Sequence, residues 1–72
     1  MTMIYVFKTS ISSIKTIKLL TPHLNKLFTV SNWNFDLEDC DNILRVDSKT
    51  NIVKKTIKIL NNYGFDCEEL PE

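Results

Sequence analysis

Two thiols, one imidazole and an acidic turn are the side chains of this sequence with the most chemistry to offer. Cys40 and Cys67 are the two cysteines and His23 the one histidine. A thiolate grips soft metals and attacks electrophiles, and an imidazole can ligate or shuttle protons. The cysteines stand too far apart to form a paired metal motif and are too few for a disulfide scaffold. His23 follows Pro22 with no second ligand beside it, so an ordinary, partly exposed helix histidine is the simpler reading. Asp36, Glu38, Asp39 and Asp41 crowd one short stretch, but their spacing matches no calcium loop, and such turns are usually only solvated. There is no glycine-rich phosphate loop and no grouping of nucleophile, base and orienting residue. No catalytic, cofactor-binding or metal-ligating residue is therefore assigned, and the chain is not expected to be an enzyme.

Composition narrows the partners. Of the 72 residues, 43% are hydrophobic and 25% charged, with one glycine and two prolines. This is the make-up of a globular domain. A chain of this length buries only roughly 60% of the surface it would expose unfolded, so one domain spanning residues 1–72 is the expectation. Nine basic and nine acidic residues cancel, which removes the field of a dedicated nucleic-acid binder. No basic segment precedes the short apolar run Met3–Phe7, so no secretory peptide is expected. No stretch reaches membrane-spanning length either. With unpaired cysteines, this points to the cytoplasm.

The elements that must position these residues follow from periodicity. Met3–Thr9 alternates, with Met3, Tyr5 and Phe7 on one face and Ile4, Val6 and Lys8 on the other, as a strand requires. From Ser12 the spacing changes to three and four through Ile14, Ile17, Leu20, Leu24, Leu27 and Phe28, the stripe of one helix capped by Ser12 or Ser13. Pro22 inside it removes a bond to the Lys18 carbonyl and predicts a kink or interruption. Trp33, Phe35 and Leu37 alternate with Asn32, Asn34, Asp36 and Glu38 in a strand that turns through Asp39–Asn42 into Ile43–Asp47. Ser48–Asn51 offers caps for a second helix with Val53, Thr56, Ile57, Leu60 and Tyr63 on its stripe. Gly64 supplies the left-handed stop, and Phe65–Leu70 is the last strand, with Cys67 on the buried side beside Phe65.

Strand, helix, two strands, helix, strand is the βαββαβ order of α+β ferredoxin-like folds, a four-stranded antiparallel sheet with both helices on one face. Charge follows the same order. Lys8, Lys15, Lys18 and Lys26 precede an acidic block at Asp36–Asp47. Lys49, Lys54, Lys55 and Lys58 then precede an acidic tail of Asp66, Glu68, Glu69 and Glu72. The outer helix surfaces should be basic, and the hairpin and last strand acidic. Solvation is the plainer purpose of both.

Phe7-Lys8-Thr9-Ser10-Ile11-Ser12-Ser13-Ile14-Lys15-Thr16, with Leu20-Thr21-Pro22-His23-Leu24-Asn25, resembles the first strand, metal loop and first helix of heavy-metal-associated (HMA) domains. Val30–Leu37, Ile43–Asp47 and Tyr63–Asp66 extend the resemblance over nearly the whole chain. That family holds soft ions such as Cu(I) between two thiolates in a C-x-x-C pair. In this frame the pair falls on Ser13 and Thr16, whose neutral hydroxyls cannot replace thiolates, while Ile11 is an apolar match for the family's methionine. The resemblance thus implies the fold and the loop's shape without its metal site. It also implies a sheet in which the strands flanking Cys40 and Cys67 lie at opposite edges, out of disulfide reach.

Two functions follow. The first is a non-enzymatic protein-interaction or regulatory module with a protein partner or a second copy, no nucleic acid and no membrane insertion. Its contact surface would be the outer sheet face around Ile4, Val6 and Ile43, or the basic helices. The alternative is a soluble copper-type binding or trafficking protein with atypical ligands. The fold further predicts that Trp33, Phe35, Leu24, Ile57 and Phe65 share a core, where truncating Trp33 or Phe35 would cost about 3 to 5 kcal/mol.

Overall fold

The computed structural model describes residues 3–28, 32–38 and 40–71. Val30, Ser31, Asp39 and Glu72, which entered the sequence reading, lie outside them. The elements run β1 (Met3–Thr9), α1 (Ile14–Leu27), β2 (Asn32–Asp36), β3 (Ile43–Ser48), α2 (Val53–Asn62) and β4 (Cys67–Leu70). All strand pairs are antiparallel and the sheet order is β2-β3-β1-β4. This is a ferredoxin-like α+β fold.

Register assigns the two faces, because residues directly opposite each other share a side. Tyr5 pairs with Val46, Phe7 with Leu44, Trp33 with Val46 and Phe35 with Leu44. Phe7, Leu44 and Val46 are fully buried and cluster with Leu20, Leu24 and Phe28 of the first helical stripe and Leu60 of the second, so both helices cover this face. The other face carries Ile4, Val6 and Lys8 of β1 against Asp47, Arg45 and Ile43 of β3. Ile43, expected on an exposed surface there, is only 4% exposed and lies outside the main cluster. The apolar outer face is therefore smaller than alternation implied.

Helix α1 is continuous across Pro22. Its buried residues are Leu20 and Leu24, with Phe28 as C-cap. Ile14, expected on the same stripe, is 66% exposed. Ten residues at 100° each place it about 80° from Leu24, on the flank of the stripe. Ile11, fully buried in the preceding loop, fills that end of the core. In α2, Thr56 and Leu60 are buried, and the Thr56 hydroxyl is satisfied by the Ile52 carbonyl at 2.8 Å.

The helix ends obey local chemistry. Gly64 adopts φ +87°. Beyond the last turn of α2, the Gly64 N–H donates to the Asn61 carbonyl at 3.0 Å and the Phe65 N–H to the Leu60 carbonyl at 2.9 Å. This double closure needs a left-handed residue, which glycine provides without strain. Tyr63, counted on the α2 stripe, is instead the C-cap, 46% exposed. The strand through Leu37 and Glu38 stops at Asp36, because the Asp36 carboxylate accepts the Glu38 N–H at 3.1 Å and turns the chain. Phe65 precedes β4 rather than opening it.

The aromatic core expectation is corrected in depth. Leu24 is fully buried, but Trp33, Phe35, Ile57 and Phe65 are only half-buried, packed against the cluster from its rim. Edge strand β2 has one neighbour, so its side chains are covered on fewer sides than those of β3. Trp33 and Phe35 meet edge to face with centroids 5.8 Å apart, and the Trp33 indole N–H donates to Asn25 Oδ1 at 3.1 Å.

Candidate functional site

The β1–α1 corner is the candidate, and it is built from Thr9 outward. Thr9 ends β1 almost fully buried. Its N–H donates to the Asp41 carbonyl at 3.2 Å and its hydroxyl to the Asn42 carbonyl at 2.7 Å, while its Oγ1 accepts the Ile11 N–H at 3.3 Å. One side chain thereby ties β1, the loop after it and the β2–β3 turn. Ser10 adds a second tie, its N–H donating to the Asp66 carbonyl at 3.1 Å and its Oγ accepting the Asp66 N–H at 2.8 Å. Asn42 closes the turn with φ +51°, a left-handed position that asparagine tolerates.

On this base the loop presents its tip. Ser13 is the N-cap of α1, in extended backbone, and its Oγ accepts the Lys15 N–H at 3.2 Å. Thr16 lies half-buried in the first turn. Ser13 and Thr16 thus stand together at a helix start, and the Ser13 hydroxyl is engaged in capping. A neutral oxygen that accepts an amide N–H offers little to a soft cation. Between them Ile14 projects to solvent. With Ile17, Phe35 and Leu37 it lines a shallow groove of about 650 Å³ whose rim carries Asp36, Glu38 and Arg45. Arg45 Nη1 lies 3.5 Å from Asp36 Oδ2, and both side chains are well exposed, so the pair contributes little stability.

The other residues with chemical potential lie elsewhere. Cys67 is half-buried on the covered face opposite Thr9, and burial pushes its thiol up to about 12. It is the protonated, unreactive form that this site favours. Cys40 is exposed in the β2–β3 turn, and both thiols are free. Strands β2 and β4 occupy opposite edges, although the turn carrying Cys40 reaches back to Thr9. His23 faces the other helix: its Nδ1 and the Tyr63 hydroxyl are 3.0 Å apart and the rings 4.9 Å apart. Of the acidic stretch, Asp36 holds the Glu38 amide, and Asp41 Oδ1 lies 3.6 Å from Lys8 Nζ. Asp39 lies outside the described residues. Among those residues no three His, Cys, Asp or Glu side chains converge as a metal ion would require.

Sequence reasoning missed two features of this corner and one contact outside it. Thr9 as a tie was hidden because threonine alternates into any strand, and its partners in the turn are distant in sequence. Ile14's exposure was readable from its angle to Leu24. The Tyr63–His23 contact needed the relative placement of two helices. No helix among the described residues is long and apolar enough to cross a membrane. Comparison with family profiles, with curated proteins and with solved structures finds no match.

Proposed function

We propose that the chain is an HMA-like, non-enzymatic protein-interaction module whose metal loop has become a docking corner. The observation that supports this reading is Ile14, 66% exposed between Ser13 and Thr16. In a cytoplasmic protein-binding role, an apolar side chain at the loop tip beside a groove with a charged rim provides an anchor and orienting groups together. The loop keeps its buried Ile11 anchor and its helix start while offering hydroxyls where thiolates would be needed.

The metal half of the reading is tested by anaerobic Cu(I) and Zn(II) titration against a competing chelator. The chain as it stands should lose to the chelator, and the double substitution Ser13→Cys, Thr16→Cys should compete. Tight, stoichiometric binding by the unaltered chain would overturn the proposal in favour of metal trafficking with atypical ligands. The docking half is tested by affinity capture with Ile14→Glu alongside. Partners retained by the unaltered chain and lost by the variant uphold the corner, whereas identical retained sets reject it.

A further inference from the structure

The two edges of the sheet are not equally protected. Strand β4 is four residues long, carries Glu68 and Glu69 side by side and is followed by Pro71, three devices that discourage strand pairing. Strand β2 reads Asn32-Trp33-Asn34-Phe35-Asp36. It has no lysine and no proline and pairs on one side only, with β3.

Charge then selects what β2 fits. Laid antiparallel on a second copy of itself about Asn34, β2 sets Asn34 opposite Asn34, Trp33 opposite Phe35 and Asn32 opposite Asp36. No like charges face each other, and two aromatic cross-strand pairs form on the helix-covered side. The same operation on β4, about Glu68 or about Glu69, sets that glutamate opposite its own copy, which is repulsive. A β2-to-β4 contact would leave edges free at both ends and propagate rather than close. We propose that the β2 edge binds a second copy of this chain through a two-fold axis at Asn34, joining two sheets into one of eight strands. The groove beside Ile14 is lined in part by the same strand, through Asn34, Phe35 and Asp36, so Ile14→Glu tests the docking corner and the reciprocal charge pair at Asn34 tests the dimer.

The axis makes the test specific. A residue that faces itself is repelled by either sign of charge. Asn34→Asp and Asn34→Lys should each weaken the dimer about fivefold in sedimentation equilibrium taken up to millimolar protein. An equimolar mixture of the two should recover the lost affinity, since Asp then faces Lys. Glu68→Gln on the other edge should change nothing. For a readout independent of charge, Asn34→Cys in a Cys40→Ser background should form a covalent dimer under mild oxidant. A chain that stays monomeric throughout, a dimer indifferent to both Asn34 substitutions, or a mixture no tighter than its components would overturn the inference.

Discussion

The fold contains a similar corner twice, and the two differ at the tip. At the end of β1, buried Thr9 accepts the amide two residues on, Ile11 is buried, and Ser13 holds the amide of Lys15 at the start of α1. At the end of β3, buried Ser48 accepts the Thr50 amide at 3.2 Å, Ile52 is buried, and Asn51 holds the Val53 amide at 3.0 Å at the start of α2. A hydroxyl, an apolar plug and a side chain that holds the amide two residues on turn a strand into a helix in both halves, although in α2 the N-cap position is the plug Ile52 itself. Ser13 needs no ligand to explain it. What the second corner lacks is an exposed apolar tip: Val53, first in α2, is half-buried where Ile14, first in α1, is mostly exposed. The second corner serves as an internal control for the first.

Substitutions can break or sharpen this comparison. The apolar plugs should have the largest effect: Ile11→Ala and Ile52→Ala should each lower unfolding free energy by about 2 to 5 kcal/mol in denaturant titration. A much smaller loss at Ile11 alone would end the equivalence of the corners. Trp33→Ala, at the rim, should cost less than the about 3 to 5 kcal/mol of a fully buried aromatic, and a loss in that range would put β2 deeper than its half-burial indicates. The helix-start side chains come next: Ser13→Ala, at the N-cap, should cost about 1 kcal/mol, and Asn51→Ala, one position before the N-cap Ile52, should cost less. A negligible cost at Ser13 would show its hydroxyl to be free for other work. Ile14→Glu should change stability by no more than about 0.5 kcal/mol, which separates its contact role from a folding one.

Cys67 gives a pH-dependent comparison between the two thiols. Its folded thiol is raised from 9.0 to about 12 by burial, so the folded chain holds the proton more tightly than the unfolded one. The stability from that preference is complete below about 9 and is lost as pH rises from there toward about 12. Cys67→Ala should flatten this alkaline decline in thermal melts. At neutral pH exposed Cys40 should alkylate well before Cys67, as followed by mass spectrometry.

Element order and the helix stop were legible in the sequence because each has a local cause. Alternation marks β1 and β3, the three-and-four spacing marks both helices, and Gly64 marks where α2 must end. Depth was less legible. Periodicity says which side of a strand faces inward, but not that edge strand β2 leaves Trp33 and Phe35 half-covered. Nor does it say that Ile43, on the outward side, is shielded. The candidate corner was legible as a position, since Ser13 and Thr16 fall at the start of α1. Its apolar tip was obscured when Ile14 was grouped with a stripe from which it lies about 80° away.

Thr9 joins these regions mechanically. Through its amide, its hydroxyl proton and its hydroxyl oxygen it holds the Asp41 and Asn42 carbonyls and the Ile11 amide. The β1–α1 loop and the β2–β3 turn therefore share one fastening. A load on Ile14 passes through the Ile11 bond to the two that seat the turn, so a dye on the exposed Cys40 thiol should report contact at a loop it never touches.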